Sequence, residues 1–178
     1  MKNFVFPAML TADEDEGGYL VTFVDLPEAI TQGESLEDAV RESSDCLEEA
    51  IANRIVMGLP IPRPSRAKKG QYPVLLPAQT AAKAALYGAM REANITKVEL
   101  AKRLRCDEKE IRRLLDPRHP SKLPRIEAAL AAVGQHLVLG VRDVPRLSIP
   151  SVSLSQEILK DRADSENRVL RSAKRRAS

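Results

Sequence analysis

The stretch Lys97–Leu114, KVELAKRLRCDEKEIRRL, spaces apolar side chains as two short helices joined by a tight turn require, with basic residues between them. Leu100, Leu104, Cys106, Ile111 and Leu114 take the inward positions, and Ala101 is small where the second helix passes closely. Thr96 is placed to cap the first helix with Glu99 in the capping-box position, and Asp107 to cap the second with Glu110 placed likewise. The turn position that most such motifs give to glycine is Arg105. If Ile111 and Leu114 face inward, Glu108, Lys109, Arg112 and Arg113 point outward as candidates for base edges, since arginine pairs bidentately with guanine. Thr96, Lys97, Lys102, Arg118 and Lys122 are the candidates for phosphate contact.

Working outward, Pro77–Ala93 is Ala-rich and predicts a closely packed helix through Ala81, Ala85, Leu86, Ala89 and Met90, with Asn94-Ile95 breaking it. A further helix over Ser121–Val133 closes on Gly134. His136 begins HLVLGV, a strand-like run that would pair with its copy in a dimer and set two DNA readers about 34 Å apart. His119, between Pro117 and Pro120, has no nucleophile or second His near it in sequence and reads as a loop residue.

The front of the chain is different. Asn3–Leu10 and Tyr19–Val24 carry strand patterns on either side of TADEDEGG, a long β-hairpin, and a short third strand near Ala29–Gln32 meets Gly33. Ser35 caps the next helix with Asp38 in the capping-box position; Leu36, Val40, Leu47, Ile51 and Ile55 recur on one face and Gly58 stops it. Pro60, Pro62 and Pro64 forbid helix, and Gln71–Leu76 supplies a fourth strand. The expected order is β-β-β-α-β.

Charge separates the parts. Within 178 residues of net charge +3, residues 1–76 are net −6, residues 77–141 net +5 and residues 142–178 net +4. An acidic front repels phosphate and suits a basic protein partner, while the rear can neutralise nucleic acid. The absence of Trp and an aromatic content of 3% leave little for stacking single-stranded bases. Cys46 and Cys106 form no CxxC pair, so neither a metal nor a cofactor is expected. No apolar run approaches the ~20 residues that span a bilayer, and the first residues lead straight into a strand pattern, so a cytoplasmic protein is expected.

The segments EGGYLVTFVDLPEAITQGESLEDAV (Glu16–Val40) and MGLPIPRPS (Met57–Ser65) resemble the HicB antitoxin family. Gly17-Gly18-Tyr19, Asp25-Leu26-Pro27 and Thr31-Gln32-Gly33, in this order and spacing, carry the likeness. It covers residues 1–76 and continues into the DNA reader that one branch of the family bears. It implies an α+β chain: a partial ribonuclease-H-like domain, then an all-α, Cro/repressor-like helix-turn-helix domain over residues 77–141. It also implies binding of a small basic mRNA-cleaving toxin, HicA, and repression of the operon encoding both by a dimer or tetramer on operator DNA.

Clustered acids at Asp13, Glu14, Asp15 and Glu16, with Asp25, are the candidate toxin contacts, imitating RNA phosphates to a basic surface. A nuclease site is not expected: strands Asn3–Leu10 and Gln71–Leu76 carry no acid, leaving Asp25, Glu42 and Glu49 far short of a two-metal set. No catalytic residue is therefore assigned. The rival reading is a stand-alone transcription factor with a ligand- or protein-sensing front domain. Beyond Val141, RDVPRLSIPSVSLSQ reads as linker, Ser155–Arg171 as a weak amphipathic helix and RSAKRRAS as a basic end.

Overall fold

The computed structural model describes residues 3–13 and 17–141. The expected hairpin acids Glu14, Asp15 and Glu16 and the tail 142–178 lie outside the described residues. The chain is α+β. Strands β1 (Val5–Ala12), β2 (Tyr19–Phe23), β3 (Ile30–Gly33) and β4 (Gln71–Leu75) form one antiparallel sheet in the order β3-β2-β1-β4. Helix α1 (Leu36–Val56) separates β3 from β4, and α2 (Ala78–Glu92), α3 (Lys97–Leu104), α4 (Glu108–Leu115) and α5 (Leu123–Ala132) follow. Residues 1–138 make one compact unit.

A proline in the central strand has a ladder explanation. Pro7 lies opposite Pro73 of β4, and the register makes the flanking pairs Phe6–Val74 and Ala8–Tyr72 the hydrogen-bonded ones, so neither proline is asked for an N–H there. On the other side Val24 N–H donates to Pro7 O at 3.2 Å, but Pro7 has no N–H to return. That missing bond falls where β2 ends.

Helix α1 packs Leu47, Ile51 and Ile55 against Phe6, Ala8, Val21, Phe23 and Val74, all buried. Its first turns depart from expectation: Ala39 and Ser43 are buried there, while Leu36 and Val40 are half-buried. The cause is Gly33. A Cβ on Gly33 would stand 2.3 Å from Ala39 N and 2.5 Å from its Cα, so strand and helix touch backbone to backbone and only small side chains fit. Gly18 meets the same corner, since its φ is +86° and a Cβ there would lie 2.5 Å from Gly33 O. The two glycine-bearing segments that carry the family likeness are thus halves of one close contact.

Helix α2 serves two cores. Its buried Ala84, with Ala81 beside it, packs into the sheet cluster, whereas Ala82, Leu86 and Met90 join Leu100, Ile111, Leu114, Leu115, Ile126 and Leu130 in a second cluster. Alanine on both faces lets a helix lie close to neighbours on either side. Hydrogen bonds line this seam: Tyr87 Oη donates to Leu59 O at 2.8 Å, Arg91 to Gly58 O at 2.6 Å, and Thr80 Oγ1 to Glu48. Arg91 also stacks over the Tyr87 ring at 5.6 Å from its centroid.

Candidate functional site

The α3–turn–α4 pair is locally specified. Glu99 N–H donates to Thr96 Oγ1 at 3.1 Å, capping α3. Arg105 then adopts φ 52°, ψ 48°, and Cys106 N–H returns to Ala101 O at 3.0 Å. The same closure ends α2, where Asn94 has φ 52° and Ile95 N–H reaches Met90 O at 2.8 Å. It also ends α5, where Gly134 has φ 80° and Gln135 N–H reaches Leu130 O at 2.9 Å. Asp107 occupies the N-cap of α4 but makes no capping bond with its side chain; Glu110 N–H instead reaches Asp107 O at 3.0 Å.

Of the expected inward positions, Leu100, Ala101, Ile111 and Leu114 are buried. Leu104 and Cys106 are half-buried at the rim of that core. Burial, then Glu110, raises the Cys106 thiol pKa, and burial raises that of Cys46. Neither is a poised thiolate.

Lys109, Arg112 and Arg113 lie on the exposed side of α4, opposite buried Ile111, Leu114 and Leu115. Glu108 holds Arg112 through Nε at 2.9 Å and Nη2 at 2.7 Å. This fixes the guanidinium and leaves Lys109 and Arg113 beside it. Thr96 and Lys97 are exposed at the start of α3, Lys102 is exposed further along it, and Lys122 is the exposed N-cap of α5. Arg118 stands apart from these: its Nη2 meets Glu49 of α1 at 2.7 Å, a bond that raises its pKa. That pair draws Arg118 toward the sheet half.

Three contacts escaped sequence reasoning. Lys83 is fully buried, yet its Nζ donates to Asp116 O at 2.5 Å and to His119 O, clamping the loop that follows α4. Burial lowers its pKa, against an opposing pull from Asp116. The only sequence signal was its spacing with Thr80 and Tyr87 on the stripe of α2 facing the seam. Arg103 joins Glu99 at 3.1 Å and Ala132 O at 3.1 Å, tying α3 to the end of α5. Arg125 meets Glu110 at 2.5 Å, tying α5 to α4.

In the sheet half, Asp25 Oδ2 accepts from Ser65 N–H at 2.9 Å and from Ser65 Oγ at 3.1 Å. Asp25 thus pins the proline-rich loop across 40 positions of sequence. Asp13 donates its N–H to Gly18 O at 3.0 Å at the hairpin end. Among the described residues no group of three or more His, Cys, Asp or Glu is arranged to hold a metal ion, and no helix is long and apolar enough to cross a membrane. Residues 136–141 form no strand in the single chain; a ladder there needs a second copy.

A family model described as the HicB-like antitoxin of a bacterial toxin-antitoxin system matches residues 5–85, reaching into α2. The chain is 36% identical over 134 residues to the antitoxin HicB of Escherichia coli strain K12, covering 75% of this chain and 96% of that protein. It is 34% identical over 141 residues to antitoxin HicB 1 of Photorhabdus laumondii, covering 79% and 89%. It is 32% identical over 138 residues to the antitoxin HicB of Pseudomonas fluorescens, covering 77% and 94%. These relatives are named as antitoxins, which fits a role without catalysis.

Proposed function

Because this chain belongs to the HicB antitoxin family, we propose that it neutralises a HicA-type mRNA-cleaving toxin through its sheet half and represses its own operon through its helical half. It acts in the cytoplasm as a dimer or higher oligomer. Residues 77–141 work as a helix-turn-helix DNA reader, and residues 1–76, with their net charge of −6, as the seat of the basic toxin.

The observation that carries the DNA reading is the exposed basic face of α4 behind a buried Ile111, Leu114 and Leu115. Arg113 and Lys109 reach base edges, Glu108 orients Arg112, and Thr96, Lys97, Lys102 and Lys122 hold phosphates. Arg118, held by Glu49, serves the seam between the halves. On the toxin side, Asp13, Glu14, Asp15 and Glu16 present the acidic hairpin, while Asp25 supports the loop beneath it.

The test is binding of the purified chain to its own promoter fragment, followed by fluorescence anisotropy over a salt series. Arg113→Ala should weaken operator binding about tenfold or more and relax preference for one base pair, at about 1–3 kcal/mol. Lys97→Ala should weaken specific and non-specific DNA alike and flatten the salt slope. Equal binding by both variants would refute the reading. For the toxin, rescue of growth on co-expression should be lost when residues 13–16 are all replaced by Ser.

A further inference from the structure

The four strands, VFPAMLTA, YLVTF, ITQG and QYPVL, contain no Asp, Glu, Lys or Arg. Helix α1 covers only the face bearing Phe6, Ala8, Val21, Phe23 and Val74. Strand alternation places the other side chains on the opposite face. Five large apolar residues there are exposed: Met9 40%, Leu20 41%, Val24 50%, Ile30 59% and Leu75 55%. The registers Met9–Thr22, Thr22–Ile30 and Val5–Leu75 spread them across all four strands. About five residues along each of four strands, at about 3.4 Å per residue and about 4.8 Å between strands, give a patch of roughly 330 Å². Contiguous apolar patches of that size on soluble proteins are commonly contact sites.

We propose that this open sheet face is an interface with a second copy of this chain, two sheets packing face to face about a twofold axis with both α1 helices outermost. Charge selects the occupant. Residues 1–76 are net −6, yet the sheet strands carry none of that charge, so the acids sit on α1, in the turns and at the hairpin. Two copies approaching by almost any other surface of this half bring like charges together. Packed through the bare sheets, the α1 layers stand roughly 30 Å apart at about 10 Å per layer, beyond the ~8 Å screening length at physiological salt. A basic toxin seated here would meet none of the acidic charge expected to attract it. Aligned packing of two twisted sheets is a standard solution for apolar faces, and a twofold contact makes each patch its own complement.

The test uses the full chain without toxin. Leu20→Glu and Ile30→Glu each place a carboxylate on the face, where the twofold sets like charges near one another. Sedimentation velocity and light scattering at several concentrations should give half the wild-type particle mass for both variants, with the far-UV circular dichroism of the wild type retained. Any contact through residues 136–141 leaves that halving intact. A wild-type monomer, or variants with unchanged mass, would overturn the proposal. Unchanged mass with loss of toxin co-purification would assign the face to the toxin instead, and overturns it equally. If either variant fails to keep the wild-type spectrum, Leu75→Gln, at a 55% exposed edge position, still has to raise the dissociation concentration at least several-fold.

Discussion

Gly33→Ala is the sharpest probe of how this fold closes. The added Cβ would stand 2.3 Å from Ala39 N, 2.5 Å from Ala39 Cα and 2.8 Å from Asp38 C, where ordinary carbon contacts are about 3.5–4.0 Å. Every blocking atom is backbone, so no side chain can swing aside, and the start of α1 has to retreat by about 1 Å. That retreat loosens Ala39 and Ser43, buried on the sheet side of the helix, and overpacking of this kind costs about 1–3 kcal/mol or more. We expect about 3 kcal/mol, a large share of the ~5–15 kcal/mol that holds a domain folded. At about 2–4 °C per kcal/mol for a chain of this size, the midpoint of thermal unfolding should fall by roughly 6–12 °C. Urea unfolding followed by far-UV circular dichroism measures the difference directly. Gly17→Ala is the control: its φ is +77° but a Cβ there meets nothing within 4 Å, so it should cost only about 1–2 kcal/mol of backbone strain. A Gly33→Ala protein within 0.5 kcal/mol of the wild type, or no worse than Gly17→Ala, would refute the reasoning.

Three further outcomes are expected. Arg105→Gly relieves a left-handed residue at φ 52° and should stabilise the chain by up to about 1 kcal/mol; a lower melting temperature would show that the Arg105 side chain contributes more than the strain it causes. Lys83→Met leaves Asp116 O and His119 O without the donor they share and should cost about 1–3 kcal/mol in urea, whereas equal or greater stability would mean that relief of the buried charge outweighs both bonds. The Arg54 hydrogen bond holds the Glu28 carboxyl below its ordinary value, so the native state binds that proton less tightly than the unfolded chain. Its contribution, below about 1 kcal/mol for so exposed a pair, is complete above the ordinary glutamate pKa of 4.5 and fades as pH falls through the lowered one. Stability curves of wild type and Glu28→Gln should therefore differ at neutral pH and converge in acid.

The candidate sites were partly legible for the same reason. Outward positions of α4 follow from helical spacing once Ile111 and Leu114 are taken as inward, and the exposure of Lys109, Arg112 and Arg113 agrees with that. The acid at Asp25 reads as a free contact in one dimension, but its partner Ser65 lies 40 positions away. Arg118 reads as a phosphate ligand until Glu49, 69 positions earlier, is brought beside it.

What the amino-acid order determined by itself was local: the capped starts at Ser35 and Thr96, the left-handed closure at Arg105, the alternation of the hairpin and the family likeness of its glycine-bearing segments. These depend on side chains reaching backbone three to six residues away, a range that spacing alone resolves. Only the tertiary structure decided which small residues had to be small. Gly18 and Gly33 meet because two strands and a helix start share one corner. The alanines of α2 serve two cores at once, Lys83 is buried because a distant loop supplies its acceptors, and the bare sheet face exists because the chain supplies one helix for a sheet with two sides. Each of these is a matter of close packing between segments far apart in sequence, where fractions of an ångström decide and periodicity carries no information.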